Sequence, residues 1–191
     1  GEVTYKWNWN TPMFISHHKP TKLYIAANKV FSSENRGDSW KTISGDLTTQ
    51  TDRNSFQVMG KYWPAEAVAK DISTSQWGTI VSLEESRLKS GLLYAGTDDG
   101  VISVTENDGA SWSQVKSFEG VPQYTYVSDI CADRFDENIV YASFNGIQSD
   151  DFKPYIFKST DKGKSWTSIA GNLPENGTVH TIIQDFKRKE L

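Results

Sequence analysis

One short stretch of sequence recurs along the chain, and its first copy is Ser33-Glu34-Asn35-Arg36-Gly37-Asp38-Ser39-Trp40. The other two copies are Thr105-Glu106-Asn107-Asp108-Gly109-Ala110-Ser111-Trp112 and Ser159-Thr160-Asp161-Lys162-Gly163-Lys164-Ser165-Trp166. All three share the pattern Ser/Thr-x-Asp/Asn-x-Gly-x-x-Trp. In such a hairpin turn the Asp or Asn oxygen accepts backbone N–H bonds, glycine allows a positive φ, and the indole packs beneath the hairpin. We name this element the staple turn.

A structural role is predicted for the recurring positions of the staple turn. An acid in a loop can also be a metal ligand, but two of the three copies carry Asn, which keeps the acceptor oxygen and loses the charge. We therefore expect neither a metal nor another cofactor. The predicted structural residues are Ser33, Asn35, Gly37, Trp40, Thr105, Asn107, Gly109, Trp112, Ser159, Asp161, Gly163 and Trp166.

The staple turns belong to a longer repeat. Each repeat has an apolar first strand, a second strand with a Leu-Tyr or Val-Tyr pair, a third strand that runs into the staple turn, and a short fourth strand. This pattern predicts an all-β chain of three four-stranded antiparallel units and the first strand of a fourth. We place the units at about 11–46, 79–117 and 125–171, an insertion at 47–78, and the last strand at 178–186.

Composition narrows the possible functions. The 191 residues carry a net charge of −4, which provides no basic field for nucleic acid or anionic lipid. No apolar run approaches the ~20 residues that a bilayer-spanning helix needs. The single cysteine, Cys131, excludes internal disulfides and multi-cysteine metal sites. We expect a globular chain with no nucleic-acid partner and no membrane span.

The three staple turns resemble those of the Asp-box (bacterial neuraminidase repeat) β-propellers. The stretch 154–166, followed by Gly171-Asn172-Leu173-Pro174 and Val179-His180, is similar to the sortilin-like bacterial repeat proteins often labelled glycosyl hydrolases. The resemblance implies a propeller fragment whose ring is completed by the remainder of a larger parent protein, plausibly secreted or periplasmic. With an open ring, the fragment could self-associate through its exposed edges.

The resemblance also sorts the loops into two faces, because propeller blades are four-stranded sheets around a channel with the first strand innermost. The staple turns then mark the bottom face. The longer loops lie on the top face, where function usually sits. The bottom also receives His17, His18, Arg36, Arg87, Arg134 and Arg188. The histidine pair has no companion ligand in its loop, which favours a solvated turn over a metal site.

Candidate site residues lie on the top face or along the channel. Two adjacent acids precede Gly100, where an ordinary hairpin turn is the alternative interpretation. A third acid falls inside an apolar innermost strand, where a carboxylate must find a partner or line the channel. The aromatic side chains of the 47–78 insertion, including Trp77, are predicted either to contact a sugar or peptide or to pack the insertion against the blades. The candidate catalytic residues are Asp98, Asp99 and Asp129, and the candidate ligand-binding residues are Tyr62, Trp63, Asp150 and Asp151.

Two classes of function stay open. The first is a propeller module that binds a peptide, a partner domain or a glycan on its top face. The second is part of a glycoside hydrolase that uses two carboxylates, as in the xyloglucanases that also carry Asp-box propellers. No spacing in the sequence identifies a carboxylate pair. The first class is therefore favoured, and the chain by itself is expected to be inactive.

Overall fold

The computed structural model describes residues 5–64, 66–67 and 76–189, which form three four-stranded antiparallel sheets. The all-β prediction is confirmed. The remaining regular structure consists of two short 3-10 turns, Arg53–Ser55 and Ile147–Ser149. Within the described ranges, no helix has the length and hydrophobicity needed to cross a bilayer. Parts of the 47–78 insertion, at 65 and 68–75, lie outside the described residues.

In each sheet the strands lie in sequence order, and each strand pairs antiparallel with the next one along the chain. The first sheet contains β1 (Met13–Ile15), β2 (Leu23–Ala26), β3 (Val30–Ser33) and β4 (Lys41–Thr42). The second contains β5 (Ile80–Glu85), β6 (Leu93–Thr97), β7 (Ile102–Thr105) and β8 (Ser113–Val115). The third contains β9 (Tyr126–Ala132), β10 (Val140–Gly146), β11 (Asp151–Ser159) and β12 (Thr167–Ser168).

The hydrophobic core is divided into two layers, each lying between consecutive sheets. One layer joins the first and second sheets and includes Tyr24, Leu47 and Ile80. The other joins the second and third sheets and includes Tyr94 and Phe144. The second sheet therefore has a core on each side. For this reason β6 and β7 are buried at every residue rather than at alternate ones.

The staple turns have the hydrogen bonding that the sequence predicts. In the second sheet, Asn107 Oδ1 accepts the N–H of Ser111 at 2.9 Å, and Thr105 Oγ1 accepts the N–H of Gly109 at 3.0 Å. The corresponding bonds recur in the first and third turns, to Asn35 and Ser33 and to Asp161 and Ser159. The three motif glycines have φ values of +97°, +88° and +83°. The side-chain oxygens thus accept the backbone N–H groups of the turn, which would otherwise have no hydrogen-bond partner.

Burial of the three motif tryptophans differs from the prediction that all would be largely buried. Trp112 and Trp166 are half-buried, and Trp40 is 42% exposed. The indole contacts its own turn, where Trp166 Nε1–H donates to the Gly163 carbonyl at 3.1 Å, and its other contacts lie toward the preceding sheet. Trp112 Nε1–H donates to the Ile43 carbonyl of the first sheet at 2.9 Å, and Trp166 contacts Phe118, which follows the second sheet. Trp40 belongs to the first sheet, and the described chain contains no sheet before it.

The segment 178–186 forms no strand, although its position corresponds to the first strand of a following unit. A first strand pairs with the second strand of its own unit, and residues 176–189 contain no such partner. The segment is held by side chains instead: Gln184 Oε1 accepts the N–H of Arg134 at 2.7 Å. This bond repeats one between the first two sheets, where Glu85 Oε2 accepts the N–H of His17 at 2.9 Å. The two N–H donors occupy equivalent positions, because each comes directly after the residue, Ser16 or Asp133, whose own N–H closes the connection between the first and second strands.

We expect Trp112→Ala to lower the free energy of unfolding by about 3 kcal/mol, because it removes a packed indole and leaves the Ile43 carbonyl without its donor. Trp40→Ala removes a more exposed indole with no such bond and should cost about 1 kcal/mol. Urea denaturation of both variants beside the native chain measures the difference. Equal losses would contradict the packing of the indole on the preceding sheet.

Candidate functional site

Four of the top-face loops converge on one open groove of about 610 Å³. The insertion contributes Phe56 and Trp77, the β6–β7 turn contributes Asp98, the loop before β9 contributes Tyr124, and the β10–β11 connection contributes Gln148. The groove therefore spans the second and third sheets. Its location agrees with the prediction that extra loop length gathers at the top face.

Three aromatic rings form one wall of the groove. Phe56, Trp77 and Tyr124 contact one another edge to face, with ring centroids 5.3–5.4 Å apart. These contacts fasten the insertion to the loop before β9. Tyr124 has a φ of +66°, which a tyrosine rarely adopts. Residues in such sparsely populated conformations are concentrated at functional sites.

Asp98 is the carboxyl group in the groove. It accepts the N–H of Gly78 at 3.0 Å, and the N–H and hydroxyl of Thr79 at 2.7 and 2.8 Å. Burial is the largest influence on this group and raises its pKa to about 6, against the opposing effect of the hydrogen bonds. Burial, and to a smaller extent the charge of Asp98, raise the pKa of Tyr126, which lines the same groove.

Asp99, the neighbouring candidate, points away from the groove and holds the insertion in place. Its side chain is 2% exposed. One carboxylate oxygen accepts the N–H and hydroxyl of Thr49 at 2.8 and 2.7 Å, and the other accepts the hydroxyl of Thr97 at 2.5 Å. These bonds link the insertion to the second sheet.

Asp129 lies in β9, where its carboxylate holds the segment 178–186. Oδ2 accepts the hydroxyl of Thr181 at 2.6 Å and the N–H of Ile182 at 2.9 Å, while Oδ1 accepts the N–H of Ile130. The acid in the apolar strand has therefore found its partners on the segment that follows the third sheet. It is not among the residues that line the groove.

The structure does not bring the predicted ligand-binding residues together in the groove. Tyr62 is 66% exposed, and Trp63 donates its indole N–H to the Val58 carbonyl within the insertion. Asp150 ends the 3-10 turn after β10 with a φ of +59°. Asp151 accepts the hydroxyl of Tyr155 at 2.6 Å, a bond that lowers the pKa of the carboxyl group.

Several groove residues escaped the sequence analysis. Phe56, Tyr124 and the amides of Gln123, Asn145 and Gln148 line the groove but lie outside the repeat pattern. The available signal was their position, since all are in the predicted top loops. Among the described residues, no group of three or more His, Cys, Asp or Glu side chains is arranged to hold a metal ion.

No protein-family model and no curated protein sequence matches the chain. Solved structures do match it. A GH74 enzyme from Niastella koreensis is similar over 91% of this chain and 24% of its own, with a TM-score of 0.57 and 16% identity. The GH74 xyloglucanase from Xanthomonas campestris is similar over 87% of this chain and 23% of its own, with a TM-score of 0.55 and 19% identity. YCF48 from Cyanidioschyzon merolae matches over 86% of this chain and 37% of its own, with a TM-score of 0.49 and 9% identity.

The comparisons show the fold class. The neighbours are β-propeller proteins, and this chain is a propeller fragment with three four-stranded blades. It spans about a quarter of the length of each GH74 protein. At this level of identity the likeness concerns the fold and carries no site residue from one protein to the other.

The raised pKa of Asp98 predicts a pH dependence of stability. Because the pKa of an unfolded Asp is near 3.9, the folded state binds the proton more tightly than the unfolded state does. Protonation of Asp98 therefore stabilises the folded state at low pH, and this stabilisation is lost as the pH rises through about 6. Relative to Asp98→Asn, the native chain should lose about 2 kcal/mol of unfolding free energy between pH 4 and pH 7. Chemical denaturation across this range checks it, and parallel curves for the two proteins would refute it.

Proposed function

We propose that the chain is a binding module of a larger propeller protein and that its ligand, a peptide, partner domain or glycan, occupies the top-face groove. The proposal includes the finer relationship to the sortilin-like Asp-box proteins and the unit boundaries at 11–46, 79–117 and 125–171. The observation that carries it is the composition of the groove. One wall is aromatic, and the other described residues of the lining include three amide side chains, the Asp98 carboxyl group and the Arg53 guanidinium.

Such a surface suits recognition. Aromatic rings provide apolar contact area, and the side chains of Gln123, Asn145 and Gln148 can both donate and accept hydrogen bonds. Phe56 is 37% exposed, so its ring remains accessible even though it contacts Trp77 and Tyr124. The walls come from loops that are fastened to rigid sheets, which limits the ordering cost of binding.

The second candidate function is part of a glycoside hydrolase. Asp98 favours it, because a carboxyl group with a pKa near 6 can act as a general acid. Two-carboxylate hydrolysis also requires a second acid across the cleft. Among the described residues that line the groove, Asp98 is the only acid. A second acid would have to come from the remainder of the parent protein.

Removal of the aromatic wall should weaken binding. A glycan array that includes xyloglucan oligosaccharides, together with a peptide library, selects the strongest probe, whose affinity is then measured by calorimetry. Trp77→Ala should weaken it about tenfold or more, since aromatic anchors dominate binding energy. Gln148→Ala, which leaves the aromatic contacts intact, should weaken it by a smaller factor.

Tyr62→Ala is the matched control, because Tyr62 is an exposed aromatic of the same insertion outside the groove. Its affinity should equal that of the native chain. Loss of binding in Tyr62→Ala, with full binding in Trp77→Ala and Gln148→Ala, would move the site away from the groove and contradict the proposal.

The hydrolase alternative has its own test. Release of reducing sugar from xyloglucan is measured for this chain and for the parent protein, each with and without Asp98→Asn. The binding proposal expects no turnover by this chain. A hundredfold or greater loss of parental turnover in a folded Asp98→Asn variant would instead support the hydrolase, with Asp98 as its acid.

A further inference from the structure

The opposite end of the same sheets carries a second group of side chains, which the top-face groove does not involve. His17, Arg87 and Arg134 occupy the same place in three successive repeats, one residue beyond the residue that follows the first strand. The residues that precede them are Ser16, Ser86 and Asp133. Each of these donates its N–H to the carbonyl of the residue just before the second strand of its sheet. We call His17, Arg87 and Arg134 together the bottom rim.

The backbone of the bottom rim is fixed by the neighbouring sheet. The N–H of His17 donates to Glu85 of the second sheet, and the N–H of Arg134 donates to Gln184 of the following segment, at 2.9 and 2.7 Å. Equivalent contacts therefore hold two rim positions in equivalent orientations.

Arg87 and His17 are in direct contact, and the charge of Arg134 also acts on His17. Arg87 Nη1 lies 3.4 Å from His17 Nδ1. A guanidinium can only donate, so Nδ1 accepts and the ring carries its proton on Nε2. Burial, followed by the positive charge of Arg87, lowers the pKa of His17, and Arg134 acts in the same direction. The ring is consequently neutral at pH 7 and orients the Arg87 guanidinium.

The two arginines lack ion-pair partners within residues 5–64, 66–67 and 76–189. Lysines at the sheet interfaces behave differently: Lys22 pairs with Asp108 at 2.5 Å, and Lys162 pairs with Glu106 at 3.1 Å. The rim therefore has two guanidiniums whose planar donor forks are not occupied by a carboxylate of the described chain.

Nearby acids do not occupy the guanidinium forks of the rim. Glu85 is fully buried, and its two oxygens accept the N–H groups of His17 and Gly91. Burial raises the pKa of Glu84 to about 7, against the opposing effect of both arginines. His18 is engaged with the Ser86 carbonyl through Nε2. The donor forks of the two arginines are therefore available to an external anion.

We infer that the bottom rim binds an anionic group, a carboxylate or a phosphate, between the guanidiniums of Arg87 and Arg134, with His17 as the residue that positions Arg87. This site is independent of the top-face groove and of the function proposed for it. Guanidinium forks match both kinds of oxyanion, because each presents two parallel oxygen acceptors.

The test uses the full chain and two probes, inorganic phosphate and a short acetylated peptide with a free C-terminal carboxylate. Binding is followed by the arginine Nε–H signals in nuclear magnetic resonance spectra. Arg87→Gln and Arg134→Gln should each weaken binding of at least one probe about tenfold. Arg87→Lys keeps the charge but not the fork and should give an intermediate loss. The amidated form of the peptide separates carboxylate recognition from other peptide contacts.

Arg36→Gln is the matched control, since Arg36 is an exposed arginine of the first staple turn on the same face and outside the rim. Its affinity should equal that of the native chain. Circular dichroism and thermal unfolding confirm that each variant is folded. Unchanged affinity in Arg87→Gln and Arg134→Gln, or an equal loss in Arg36→Gln, overturns the inference, because binding would then reflect overall charge or another site.

Discussion

The structure depends on the contact that the second and third staple turns make with the sheet before them. Asn107 and Asp161 hold their turns through the N–H groups of Ser111 and Ser165. The turn then presents its glycine to the neighbour: a Cβ at Gly109 would overlap the Ile43 carbonyl oxygen, and one at Gly163 would lie 2.9 Å from Val104. Only a residue without a side chain permits this approach, and the positive φ favours glycine again. Local turn chemistry thus sets the distance between sheets.

This arrangement explains why loops at the two ends of the sheets differ in freedom. The staple turns are confined between neighbouring sheets, so their length and sequence are restricted. The connections at the other end close no such contact and can accept extra residues, which is where the insertion and the groove occur. A repeat that is strict at one end and variable at the other separates the requirements of folding from those of binding.

Features that depend on short-range chemistry were predicted correctly from the sequence, whereas features that depend on contacts with a neighbouring sheet were not. Each third strand runs into its staple turn as predicted, and all three turns have the predicted hydrogen bonds, because both signals are local. The exposure of Trp40 depends on a missing neighbour in the described chain, which no local pattern encodes. Asp98 and Asp99 illustrate the same limit. Adjacent side chains at a turn point in opposite directions, so the sequence named both but could not tell which one faces the groove.

The innermost strands β5 and β9 connect the two ends of the molecule. β5 begins beside Asp98, through Thr79, and ends beside Arg87; β9 begins at Tyr126 in the groove and ends near Arg134. At about 3.3 Å per residue, strands of 6 and 7 residues separate the groove from the bottom rim by roughly 20 Å. No small ligand can touch both, and substitutions this far apart are additive when they share no partners. A ligand at one end would influence the other only by moving β5 against β9. The core packed around both strands resists that displacement, since buried side chains have no room for gradual deformation. The two proposed binding surfaces are therefore expected to act independently of one another on one rigid support.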